Sequence, residues 1–124
     1  MNGEPSGVTD RFERAYRHVL EETIDVMPQT KLILCEPFIL RTGAPAEQWE
    51  AWEKRITHYQ NVVRELAQQF HAVHVPLQEA FNEATTRADA AYWLWDGVHP
   101  TAAGHDLLAK EWLKHVEKSG LLNN

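Results

Sequence analysis

From Phe12 onward the apolar positions recur at helical spacing through Ala15, Tyr16, Val19, Leu20, Thr23, Ile24 and Met27, which predicts an amphipathic helix. Asp10 with Glu13 supplies its start signal and Pro28 its stop, after a polar lead-in at residues 1–8 that contains Gly and Pro. Lys31–Glu36 has a different pattern. It is a short continuous apolar run closed by Pro37, which predicts a strand of a parallel sheet buried on both faces. A loop from Phe38 to Ala44 follows, and Pro45 suits the first position of a helix. Trp49, Trp52, Ile56, Tyr59, Val63, Leu66 and Phe70 then fall at alternating steps of three and four, predicting the longest helix of the chain.

Ala72-Val73-His74-Val75, ending at Pro76, reads as a second strand. Leu77–Ala84 reads as a shorter helix with Leu77, Ala80, Phe81 and Ala84 on one face. Residues 85–100 have no clear period. Thr101 can cap a final helix with Leu108, Ala109, Trp112, Leu113 and Val116 inward, ending near Ser119-Gly120. The alternation of helix and strand predicts an α/β fold with parallel strands and right-handed crossovers. Two strands of the buried type make no stable sheet alone, because an apolar edge is left unpaired. The chain therefore reads as the C-terminal part of a larger three-layer α/β domain, expected to associate when isolated.

At 124 residues, with 44% hydrophobic and 24% charged content, one modest domain is the ceiling. A net charge of −6 without a Lys/Arg cluster argues against nucleic acid or an anionic membrane as partner. No apolar run approaches the roughly 18 residues of a membrane span, and the first residues lack the regions of a secretory signal, so the expected setting is cytoplasmic. The single Cys35 cannot form an intramolecular disulfide, and its place in Leu32-Ile33-Leu34-Cys35 predicts an inert, buried thiol.

The candidate chemistry lies in Asp96-Gly97-Val98-His99-Pro100-Thr101. An Asp three residues before a His, in a turn, can accept the imidazole Nδ1–H and leave Nε2 free to take a proton from a serine hydroxyl. The same residues also suit an ordinary turn. The serine itself is missing: Ser6 and Ser119 are the only two, and neither stands in a strand-to-turn context that would present its Oγ.

The stretch Tyr92-Trp93-Leu94-Trp95-Asp96-Gly97-Val98-His99-Pro100-Thr101-Ala102-Ala103-Gly104-His105 resembles the last signature block of the SGNH (GDSL-type) hydrolases, closest to the sugar-ester deacetylases that include acetylxylan esterases. The likeness extends through Glu36-Pro37-Phe38, Tyr59-Gln60-Asn61-Val62-Val63 and Leu77-Gln78-Glu79-Ala80-Phe81, and so covers the second half of that family's domain. It implies a flavodoxin-like α/β/α sandwich of which these are the last two strands, with residues 1–124 forming one partial domain. It also implies an esterase for a small ester such as an acetylated sugar, with Asp96 and His99 catalytic and no cofactor. The blocks with the nucleophilic Ser, the oxyanion Gly and the oxyanion Asn have no counterpart, so the chain is expected to be inactive without a complementing N-terminal segment.

Trp93 and Trp95 have flat rings that suit sugar faces and are candidates for substrate binding, although large aromatics beside an irregular loop also simply bury it. The resemblance implies that Glu36, at the end of the first strand, shapes the following loop. His71 and His74 would point to opposite faces of a strand and so not share a metal ion. His105 is expected to pack or cap. Trp49 and Trp52 are expected in the core. The alternative is a non-catalytic interaction module or homo-oligomer using the Trp49–Phe70 stripe.

Overall fold

The computed structural model describes residues 6–123, the side chains of residues 6–10 excepted. The elements run α1 (Ser6–Val26), β1 (Ile33–Cys35), α2 (Gly43–Glu47), α3 (Trp49–Gln69), β2 (Val73–Val75), α4 (Gln78–Ala84), α5 (Ala90–Trp93) and α6 (Ala102–Ser119). β1 and β2 pair in parallel, Ile33 opposite Val73, Leu34 opposite His74 and Cys35 opposite Val75, giving a mixed α/β fold around a small parallel sheet. Asp10 and Glu13 fall inside α1, which begins at Ser6, ahead of the expected start.

Side chains alternate across a strand, so each face of the sheet carries its own core. Leu34 packs with Leu20 of α1 and with Val62, Val63, Leu66 and Ala67 of α3. On the other face Ile33, Val73 and Val75 meet Phe81 and Ala84 of α4, Trp93 of α5, and Leu107, Leu108 and Trp112 of α6. Phe38 stacks on Phe81 at 4.5 Å, closing this core beneath the loop that follows β1.

Several expectations change here. The helix predicted from Pro45 to Phe70 is two helices, because Gln48 leaves the helical region (φ −137, ψ 56) between α2 and α3. Only the C-terminal half of α3 lies in the core, since α1 and β1 cover that end, whereas Trp52 is exposed and Trp49 is half-buried with the Arg41 guanidinium over its ring at 5.8 Å. Val19, Ala109 and Leu113 face outward despite their apolar character. Cys35 is exposed rather than buried, because α6 covers β2 and leaves the outer end of β1 open; partial burial still pushes its thiol pKa up, away from the reactive thiolate. His71 is not in a strand but in the left-handed turn after α3 (φ 54).

His74 lies on the Leu34 side of β2, and its Nε2 is buried without a hydrogen-bond partner among the described residues. Burial lowers its pKa below 6.5; Glu36 opposes this, and Arg64 and His115 reinforce it. The folded state therefore favours neutral His74 while the unfolded chain takes up a proton near pH 6.5, so its contribution is complete above that pH and is lost as pH falls below it. The urea midpoint is expected to drop between about pH 7.5 and about pH 5, and His74→Leu to flatten that dependence. An identical slope in the variant would place the titration elsewhere.

Candidate active site

Residues 94–100 form a closed loop, and its closure follows from the residues at its base. Leu94 and Pro100 make an isolated antiparallel bridge, and Trp95 N–H donates to the His99 carbonyl at 3.2 Å. Thr101 fastens the base: its N–H donates to Trp93 O at 3.0 Å and its Oγ1–H to Tyr92 O at 2.6 Å, while Oγ1 accepts the Gly104 N–H at 3.1 Å as the cap of α6. Gly104 has to be glycine, since a Cβ there would sit 2.1 Å from Trp93 O. The far end of α6 closes on Gly120 in the left-handed region (φ 76), as the Ser119-Gly120 pair predicts.

Inside the loop the Asp96 carboxylate is shared between backbone and ring. Its Oδ1 accepts the N–H groups of Val98 at 2.9 Å and His99 at 2.7 Å, and its Oδ2 lies 2.6 Å from His99 Nδ1. The His99 backbone N–H, then the His99 ring and the Val98 N–H, outweigh partial burial and hold the Asp96 pKa at about 2 against an ordinary 3.8. Asp96 is therefore ionised at neutral pH and favours the tautomer of the His99 ring that carries its proton on Nδ1. Nε2 is then the basic atom, and no group among the described residues bonds it. The His99 side chain is 68% exposed and the Trp95 ring stacks beside it, centroids 6.1 Å apart and planes 24° from parallel. Such a pair can take a proton from a nucleophile at Nε2 and hold the resulting imidazolium.

The two tryptophans part company. Trp95 is exposed at His99, whereas Trp93 is turned into the core, its Nε1–H donating to Ala88 O at 3.3 Å and the Arg87 guanidinium over its ring at 5.3 Å. Trp93 is thus a packing residue and not part of an open binding surface, because α5 and the Leu94 bridge turn its side chain toward Phe81 and Trp112. His105 is exposed rather than packed, and the cap of α6 is Thr101. Ser119 donates to Val116 O at 2.6 Å at the far end of α6, a helix of 18 residues and so roughly 27 Å long at 1.5 Å per residue, with the His99 loop before its other end. Ser6 has no described side chain.

The loop after β1 is fastened by polar side chains that periodicity alone does not reveal. Buried Glu36 accepts the N–H groups of Leu77 and Gln78 at 2.8 and 2.9 Å, in keeping with a loop-shaping residue. Gln78 grips Ile39 on both sides, accepting its N–H at 3.0 Å and donating to its carbonyl at 2.9 Å. Gln60 donates to Pro37 O and to Gln78 Oε1. At the other end of this loop, Leu40 N–H donates to Gly97 O at 3.0 Å, tying it to the Asp96 turn. The signal available in the sequence was Gln60 and Gln78 themselves, both of which fall in the stretches that carry the family likeness.

An Asp-buttressed His on a loop before the last helix of a parallel α/β fold has the geometry of a general base with its orienting carboxylate. Residues 3–107 match the GDSL-like lipase/acylhydrolase family. The chain is 31% identical over 108 residues to the acetylxylan esterase of Geobacillus stearothermophilus, which covers 86% of this chain and 46% of that one. Among solved structures it resembles a GDSL-like lipase candidate from Parabacteroides merdae (35% identity, TM-score 0.82, 88% of this chain and 50% of that one). The Geobacillus esterase structure is also similar (30% identity, TM-score 0.72, 87% and 47%). This chain belongs to the GDSL-like lipase/acylhydrolase family, and it spans about half the length of the relatives it matches. Solved catalytic mutants of the Geobacillus enzyme replace a serine, an aspartate and a histidine, the last two three positions apart. A further variant of that enzyme replaces the tryptophan directly before the aspartate.

Proposed function

We propose that this chain is the histidine-bearing half of a serine esterase for a small ester such as an acetylated sugar, with Asp96 and His99 as two members of its catalytic triad. The observation that carries the reading is the 2.6 Å contact between Asp96 Oδ2 and His99 Nδ1. The identical Trp, Asp, x, x, His order in the mutated positions of the Geobacillus esterase supports it. In this reading β1 and β2 are the last two strands of a flavodoxin-like three-layer sheet. A complementing N-terminal segment pairs with the outer edge of β1 and brings the serine and the oxyanion donors.

His99 Nε2 takes the serine proton as the oxygen attacks the ester carbonyl, then returns it to the departing alcohol. The same nitrogen deprotonates the water that releases the acyl group. Asp96 keeps the ring in its working tautomer and stabilises the imidazolium. Trp95 walls the side of the site at which a sugar face can stack. No cofactor enters this chemistry.

The interaction-module alternative needs the whole α3 stripe to be spare, yet its C-terminal half is taken, Val63 and Leu66 each being 1% exposed against the chain's own α1 and β1, which leaves only the Trp52 end at the surface. The esterase reading is tested with a fluorophosphonate probe, which labels activated serines. By itself the chain is expected to take no label; joined to the N-terminal half of a full-length relative, it forms a protein labelled on a serine of that half. Labelling of Ser6 or Ser119 in the isolated chain would contradict the proposal.

A further inference from the structure

Two glycines with positive φ face one another across the loops described above. A Cβ on Gly43 (φ +61) would lie 2.3 Å from Asp96 O, 2.7 Å from Asp96 C and 3.0 Å from Asp96 Cα. Reciprocally, a Cβ on Gly97 (φ +88) would lie 2.3 Å from Thr42 O and 2.9 Å from both Leu40 O and the Pro45 ring. Real Cβ atoms do not approach other atoms so closely, so backbone lies directly on backbone at both positions. The Leu40 N–H bond to Gly97 O pins the same contact. Behind it the loop is held at Ile39 by Gln78, and Pro45 is buried.

We propose that the loop after β1 is the abutment that aims the Asp96 carboxylate, with Gly43 as its positioning residue and Gln78 as the clamp that holds it in place. The inference rests on the esterase reading for its purpose, but not for its geometry. The peptide between Asp96 and Gly97 separates the carboxylate's own residue from the Val98 and His99 N–H groups it accepts. A methyl on Gly43 strikes the carbonyl of that peptide. The peptide must turn, and its turning draws the carboxylate off both N–H groups and off His99 Nδ1.

Gly120 provides the control, because its φ of +76 is similarly unfavourable for an L residue while a Cβ there meets only Asn123 Nδ2 at 4.0 Å. Gly43→Ala and Gly120→Ala in the full chain are both expected to lower the melting temperature through φ strain. They are expected to part in the carboxyl carbon titration of Asp96 by NMR. Gly120→Ala keeps its midpoint at about 2, and Gly43→Ala moves it toward 3.8 with loss of the downfield His99 Nδ1–H resonance. Should Gly43→Ala fail to fold, Gln78→Leu frees Ile39 without adding a clash and is expected to move the midpoint the same way by less. A folded Gly43→Ala protein with the Asp96 midpoint and the His99 resonance unmoved overturns the proposal, as does an unmoved midpoint in Gln78→Leu. Neither reading involves turnover. An inactive joined enzyme with these shifts present would remove the esterase reading and leave the abutment standing.

Discussion

Replacing Asp96 by Asn in the joined enzyme is expected to lower kcat by on the order of 10⁴, the size of effect seen when the corresponding residue of a serine-protease triad is changed in the same way. That factor is about 5.5 kcal/mol of transition-state stabilisation. The geometry gives the reason. An Asn carbonyl oxygen can still accept the Val98 and His99 N–H groups now held by Oδ1, so the turn survives. Its amide nitrogen then stands where Oδ2 lies 2.6 Å from His99 Nδ1, and that nitrogen can only donate. Nδ1 becomes the acceptor, the ring proton moves to Nε2, and the atom that should receive the serine proton already carries one. Measured kcat, with the circular dichroism spectrum unchanged, checks this. A variant within tenfold of the parent enzyme would reduce Asp96 to a turn residue.

Local signals in this chain were legible because they act over a few residues. The Thr101 cap and Gly120 terminus of α6 are local backbone chemistry, and both strands stand out as short apolar runs between breakers. Asp96 and His99 could be paired from spacing because the turn between them is only two residues long. Burial was less legible, since it depends on what a neighbour covers. Cys35 sits in an apolar run, yet α6 lies over β2, and Trp93 and Trp95 look alike in sequence while only Trp95 stays at the surface. The least legible were contacts between loops distant in sequence. Gly43 and Gly97 read as ordinary turn punctuation, and nothing periodic tells that one lies against the other or that Gln78 grips Ile39.

In the proposed esterase His99 carries the largest expected effect, because without its imidazole no group described at the site would take the serine proton or return it to the alcohol. The exposed ring contributes little to packing, so His99→Ala removes the base and leaves the fold intact. The most direct test is p-nitrophenyl acetate hydrolysis by this chain alone, by the chain joined to the N-terminal half of a full-length relative, and by the joined protein carrying His99→Ala. Turnover at the free-imidazole background for the first, far above it for the second and back near background for the third is the predicted result. Turnover by the chain alone, or a joined enzyme whose rate does not depend on His99, would contradict it.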